Sequence, residues 1–344
     1  MKKATMLKTS RRTIRLAKTC RPLQARRTRA QMHGMKSGLR LLACCLVVLI
    51  AGNASKAQGT GTPATTSAQA TSGSPAAPVN DWLVVFPAHR VMGNVYYVGS
   101  AGLSSYLITT PSGHILINSS LEASMPLIQA SVEKLGFKFS DIKILLISHA
   151  HWDHCAGSAK VKQLTGAKYM VMDEDAPVVE SGGKKDFQYG DTPENLYPPT
   201  KVDRVLHDGD EVKLGGVVLV ARKTPGHTKG CTTWTMKAHD DTDGKTYDVV
   251  IVGSPNVNPG YKLVRNIAYP EIARDYERAF AVWKALPCDV FLGAHGAYYR
   301  MEVKFARLQD GAANPFVDPD GYKGYIAERE TAFREEWKKQ LAAK

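Results

Sequence analysis

Beyond residue 80 the hydrophobic positions fall into short blocks whose spacing switches between two and about 3.6, the signatures of strand and helix. Runs at 95–98, 104–109 and 114–117 have strand length, with Gly102 and Pro111-Ser112-Gly113 supplying turns. Residues 125–135 carry apolar side chains at helical spacing and stop at Gly136. The run 142–147 predicts a strand, 156–164 a helix closed by Gly166, 168–172 a strand, and 176–179 a short helical piece. In the second half, strands are predicted at 202–206, 211–214, 217–223, 232–236 and 247–252. A long helix at 271–286, a strand at 289–292 and a charged amphipathic helix at 328–341 complete the pattern.

Strands and helices mixed through two similar halves predict an α/β fold in which two sheets pack face to face with helices outside, a four-layer αββα sandwich. No linker-like stretch interrupts 81–344, which is an ordinary length for one layered domain. Ahead of it, residues 59–78 are rich in Thr, Ser, Ala, Gly and Pro without a large apolar side chain, so 58–80 reads as a flexible tether.

Charge changes the picture at the start of the chain. The formal net charge of +13 resides in residues 1–57, which hold fourteen Lys and Arg and no acidic residue; the remainder carries 31 basic and 32 acidic side chains. A near-neutral product gives no electrostatic footprint for nucleic acid or anionic lipid. Within 1–57, Met35-Lys36-Ser37-Gly38-Leu39-Arg40 opens a second leader, followed by the apolar stretch 41–51 and the small-x-small site Ser55-Lys56-Ala57. That reading places the working start near Met35 and sends the product to the periplasm or the exterior. The eleven apolar residues are too few for a membrane anchor. Cys155, Cys231 and Cys288 remain after cleavage, too few for a disulfide framework, although a Cys155–Cys231 bridge stays open. No exposed apolar stripe stands out, so a monomer is expected.

The candidate chemistry begins directly after the apolar run 142–147. His149-Ala150-His151-Trp152-Asp153-His154 places three imidazoles and a carboxylate within six residues. On extended backbone His149 and His151 point the same way, while Asp153 and His154 turn toward a neighbouring position. Imidazole with carboxylate is a ligand set that zinc prefers, and such a loop can serve two adjacent cations. His227, in Thr224-Pro225-Gly226-His227-Thr228, and His295, in Gly293-Ala294-His295-Gly296, each follow a predicted strand in a tight, small-residue setting suited to presenting a ligand. His89, His114, His207 and His239 lack such settings and are assigned no role.

These three motifs, with Asn258-Pro259-Gly260-Tyr261 and Leu286-Pro287-Cys288-Asp289, resemble the metallo-β-lactamase superfamily, and within it the third subclass of class B metallo-β-lactamases. The resemblance runs from about Trp82 to the C-terminus. It implies two Zn2+ ions, the first held by His149, His151 and His227, the second by Asp153, His154 and His295. It implies a zinc-bound hydroxide that attacks the β-lactam carbonyl of penicillins, cephalosporins and carbapenems, with Asp153 orienting that nucleophile. Ser254 and Asn256 fall where the subclass holds the substrate carboxylate. Gly253-Ser254 stands where related lactone and thioester hydrolases carry a bridging aspartate, which ranks those activities second.

A helix following His154 is expected to aim its positive end at the pocket. Trp152 and the loop 181–199, with Phe187, Tyr189 and Tyr197, are candidates for the rim. Asn118 ends a strand where many superfamily members have an aspartate behind a metal histidine; an amide can still accept a hydrogen bond, so weakened support is predicted there. The absence of an inserted second domain and of a basic mature surface argues against a nuclease, and six filled ligand positions argue against a binding protein without turnover.

Overall fold

The computed structural model describes residues 81–343; the expected leader (1–57) and tether (58–80) lie outside them. The chain opens with β1 (His89–Met92), β2 (Val95–Tyr97), β3 (Tyr106–Thr110) and β4 (Gly113–Ile117). It continues through α1 (Met125–Lys134), β5 (Ile142–Leu146), α2 (Trp152–Cys155), α3 (Ser158–Thr165), β6 (Lys168–Met172), α4 (Ala176–Glu180) and β7 (Arg204–Leu206). These seven strands make one sheet in chain order, antiparallel up to β4 and parallel from β4 to β7.

The second sheet is built from β8 (Glu211–Leu214), β9 (Val217–Lys223), β10 (Thr232–Asp240) and β11 (Lys245–Val252), then α5 (Ile272–Ala285) and β12 (Val290–Gly293), followed by α6 (Met301–Gln309) and α7 (Pro319–Ala342). Its order is β12-β11-β10-β9-β8, with α5 as the crossover that lets β12 run parallel to β11.

Strand alternation explains the layers. In β4, β5 and β6, Ile115, Ile117, Ile144, Leu146, Met170 and Met172 join the core shared with the second sheet, while Leu116, Leu145, Tyr169 and Val171 pack with Ile128 and Val132 of α1 and Val161 of α3. The other sheet covers its outer face with Tyr276, Phe280 and Trp283 of α5 and Tyr322, Ile326 and Phe333 of α7. The result is the αββα sandwich that the sequence predicts. Burial on both faces is why β5 and β6 read as continuous apolar runs.

Three departures have physical causes. The helix predicted at 156–164 is α3, which starts two residues later, and a separate one-turn helix, α2, precedes it with Asp153 and His154 inside and Gly157 between the two. A Cβ at Gly157 would lie 2.7 Å from the Ser119 carbonyl oxygen, so the chain crosses there only as glycine. His154 itself rides in the one-turn α2, and the helix that follows it, α3, begins at Ser158. The predicted 328–341 helix begins earlier, at Pro319, where the Asp318 carboxylate accepts from the Gly321 N–H at 2.9 Å. Strand β10 extends to Asp240 because β11 pairs with it through Lys237↔Asp248 and His239↔Thr246. Among the described residues no helix is long and apolar enough to cross a membrane.

Candidate metal centre

The loop after β5 combines two backbone states. Extended residues through His151 (φ −81°, ψ 148°) are followed at once by the one-turn helix α2, so His149 and His151 leave from one side and Asp153 and His154 from the turn above. The loop is anchored from four directions. The Ser148 N–H donates to Asn118 Oδ1 (2.7 Å), the Ser148 carbonyl accepts from Thr232 N–H (2.7 Å), the Ala150 N–H donates to Asp175 Oδ2 (2.9 Å) and its carbonyl accepts from the Tyr197 hydroxyl (2.7 Å).

His227 is delivered by the turn between β9 and β10. Gly226 sits at φ +130° with the Tyr276 ring where a Cβ would be, 2.6 Å from its nearest atom, so only glycine brings the turn this close to α5. Asp175 ties this turn to the first loop: it also accepts from the Thr228 hydroxyl and the Gly230 N–H, both at 2.9 Å. His295 follows β12 and bridges to Leu103.

Metal-ligating atoms of His149, His151 and His227 lie within 4.8 Å of one another, as do those of His149, Asp153 and His154. His154 Nε2 is 3.1 Å from Asp153 Oδ2 and 3.1 Å from His295 Nε2, and His295 Nε2 is 3.5 Å from Asp153 Oδ2. All six side chains named from the motifs thus meet at one point, five of them buried and His295 partly exposed.

The outer nitrogens of the imidazoles test whether a cation suits the cluster. His227 Nδ1 donates to the Asn256 carbonyl at 2.8 Å, which leaves a lone pair on its Nε2 for a cation, and His149 Nδ1 is 3.1 Å from the Ser148 hydroxyl, a group able to accept from it. Imidazole nitrogens and a carboxylate oxygen suit a divalent cation that accepts nitrogen and oxygen ligands.

Charge states agree with that use. Burial, then the neighbouring imidazoles, pushes His149 and His227 well below the usual histidine range, and brings His295 down to about 4. Burial works to raise the Asp153 carboxyl, yet the rings of His154 and His295 hold it well below its ordinary value. Burial likewise lowers His151, but the Asp186 carboxylate 3.6 Å from its Nε2 reverses the direction and raises it.

A pH effect follows. For His149, His227 and His295 the unfolded chain binds more protons than the folded one, from about pH 6.5 down toward the folded values. Stability from these groups is therefore present above about 6.5 and lost on acidification; raised His151, and Asp175 raised by burial to about 6, oppose it with fewer groups. The melting temperature of chelator-treated protein should fall between pH 7.5 and 4.5. A constant or rising value would remove this account of the cluster's charge.

Ser254 is buried, and its hydroxyl lies 3.1 Å from the Tyr298 hydroxyl, which also receives the Asn256 amide N–H at 3.0 Å. Tyr298 in turn packs 5.0 Å from the His295 ring. Trp152 packs tilted against Trp82 (5.2 Å between ring centres, 58° between planes), and Trp82 reaches to 6.3 Å from His295, so the pair walls the second group of residues. In the 181–199 loop Phe187 packs edge-on to Tyr261 and Tyr269, and Tyr197 is buried; both are packing anchors, whereas Tyr189 faces His151 at 5.2 Å.

Asp175, Asp186, Trp82 and Tyr298 were not singled out from the sequence. A lone carboxylate or aromatic in an aperiodic segment carries no spacing signal, and only the Tyr directly after the Gly-Ala-His-Gly-Ala stretch stood near a motif.

Two expectations are corrected. Cys155 and Cys231 are free buried thiols, turned toward the carbonyls of His151 (3.1 Å) and Ser254 (3.8 Å) rather than toward each other. Asn118 does accept a hydrogen bond, but from the Ser148 N–H; what it turns toward His154 is its amide nitrogen, 3.5 Å from Nδ1.

Comparison with known proteins agrees with the geometry. The family model of the metallo-β-lactamase superfamily matches residues 101–240. The native metallo-β-lactamase of Legionella gormanii is 57% identical, covering 75% of this chain and 98% of that one with a TM-score of 0.74. A subclass B3 metallo-β-lactamase of Bradyrhizobium japonicum is 37% identical, covering 77% and 98%, with a TM-score of 0.72. The chain spans less than half the length of some curated relatives, such as a hydroxyacylglutathione hydrolase of Rhodopseudomonas palustris, 29% identical over 124 residues and 39% of that protein. Fold and site together define a metal-dependent hydrolase. This chain belongs to the metallo-β-lactamase superfamily, and its solved relatives include subclass B3 enzymes.

Proposed function

We propose that this protein holds two zinc ions, the first by His149, His151 and His227 and the second by Asp153, His154 and His295, and opens the ring of β-lactam antibiotics, carbapenems included. The observation that carries the proposal is the convergence of these six side chains, with 3.1 Å contacts inside the second group. When bound, such a cation pair supplies Lewis acidity and makes water a nucleophile at neutral pH.

The chain's own residues do the rest. Asp153, held ionised by His154 and His295, would accept a hydrogen bond from the attacking water and so orient its oxygen toward the carbonyl. Ser254 and Asn256, arranged around the Tyr298 hydroxyl, provide neutral hydrogen-bonding groups suited to the substrate carboxylate. Trp82 and Trp152 offer an apolar wall to the ring system and exclude water from one side. Residues 1–57 act as an export leader and 58–80 as a tether in this reading, so the substrate is met outside the cytoplasm. The small ligand is engaged by one chain, without nucleic acid or a stable membrane contact.

The test is hydrolysis of a carbapenem and of a lactone by the purified protein, with and without a chelator. Carbapenem turnover abolished by chelation and restored by zinc is the expected result. Lactone turnover without carbapenem turnover would overturn the assignment.

A further inference from the structure

Between β11, which ends at Val252, and α5, which opens at Ile272, residues 253–271 form neither strand nor helix. Buried peptide groups in so long an aperiodic stretch need partners from other parts of the chain. Its first part, with Ser254 and Asn256, is held at the Asn256 carbonyl, which accepts from the Tyr276 hydroxyl at 2.6 Å and from His227. Further along, Tyr261 and Leu263 are buried, and the Tyr261 hydroxyl donates to the His227 carbonyl at 2.8 Å.

The backbone of this second part finds its partner on α7. Gln340, in the last turn of that helix, accepts the Leu263 N–H at Oε1 (2.7 Å) and donates from Nε2 to the Tyr261 carbonyl (2.8 Å). One side-chain amide thus supplies the two bonds that a residue of a parallel neighbouring strand would make. Its other amide hydrogen goes to Glu336 Oε1 at 2.8 Å, one turn earlier. A flipped amide would set oxygen against two acceptors and nitrogen against a donor, so its orientation is fixed. What Gln340 clamps leads on to the rim. Phe187 and Tyr189 pack on the Tyr261 ring at 5.2 and 6.1 Å, and the Asn258 amide donates to the Tyr189 hydroxyl at 3.0 Å. Tyr189 is the rim residue that faces His151.

We propose that Gln340 is a positioning residue for substrate binding: by clamping Tyr261 and Leu263 from α7 it fixes where the Tyr189 side of the rim stands over the clustered histidines. The loops that carry those histidines are anchored separately, by Asp175 and Asn118. Loss of the clamp therefore weakens substrate binding and leaves metal content and the chemical step in place. This rests on the β-lactam reading above and adds a determinant of substrate affinity to it.

The experiment compares steady-state carbapenem hydrolysis, zinc content and amide hydrogen exchange in the wild type and in Gln340→Met, which keeps the length of the side chain and deletes both backbone bonds. KM is expected to rise about five- to tenfold, the worth of roughly one net hydrogen bond, with kcat within about twofold and zinc content unchanged. Exchange at the Leu263 amide should quicken by about the same factor. Lys338→Ala, exposed on the same helix, should match the wild type. An unchanged KM, or a fall in kcat that tracks loss of zinc, overturns the inference while wild-type turnover keeps the β-lactam reading intact. A wild type without carbapenem turnover overturns that reading and the inference with it. Should Gln340→Met fail to fold, Glu336→Ala, which frees the amide to rotate, takes its place. A rise in KM of about two- to threefold is then expected, and an unchanged KM overturns the inference.

Discussion

His227→Ala should remove one of two bound cations and lower β-lactam turnover by at least about a hundredfold, since a bound cation contributes several kcal/mol to charge stabilisation in the transition state. The size of the effect comes from position. His227 is the sole ligand candidate contributed by the β9–β10 turn, and its Nδ1 is fixed by the Asn256 carbonyl, so no neighbour can swing into its place. The fold should persist, because the turn remains anchored through Thr228 and Gly230. Metal content by mass spectrometry and the steady-state rate check both halves. Full zinc content with an unchanged rate would remove His227 from the ligand set.

Asp175→Ala should cost stability on the scale of truncating a large core side chain. One buried carboxylate accepts the Ala150 N–H, the Thr228 hydroxyl and the Gly230 N–H, all at 2.9 Å. Its removal strands three buried donors at roughly 1–3 kcal/mol each, for a loss on the order of 3–5 kcal/mol once the loops relax. Asp175→Asn is little better, because its amide nitrogen must face one of those donors. Thr228→Val, which removes a donor along with its bond, should cost only about 1 kcal/mol. Denaturant unfolding of metal-free protein measures all three. A loss for Asp175→Ala as small as that of Thr228→Val would show that the two metal loops are held by other means. Because those loops carry five of the six clustered side chains, the same variant should also bind Zn2+ more weakly.

The two predictions bracket what could be read in advance. His227 announces itself through Pro225 and Gly226, which mark a tight turn after a strand, and His295 through its small neighbours. Asp175 has no such marker: it sits at the start of α4, and its partners are 25, 53 and 55 residues away. Strands β6, β8 and β9 match their predicted ranges because their periodicity is undisturbed. Strand β1 (His89–Met92), whose four residues HRVM include two polar ones, was missed. So was α6, and α7 starts nine residues before the predicted boundary, since Gly321 and Gly324 weaken the local helix signal that capping by Asp318 restores.

By itself the sequence determined the layered α/β architecture and the identity of the six converging side chains, because both are written in short-range spacing: period two or 3.6 for the elements, and ligand types at strand ends for the site. Tertiary structure alone decided the outer partners. That Asp186 faces His151, that Asp175 staples two loops, that Tyr298 gathers Ser254 and Asn256, and that Asn118 turns nitrogen rather than oxygen toward His154 are all contacts between segments far apart in the chain. Hydrogen-bond polarity at such contacts depends on which neighbour each atom meets in three dimensions, and no local pattern encodes that.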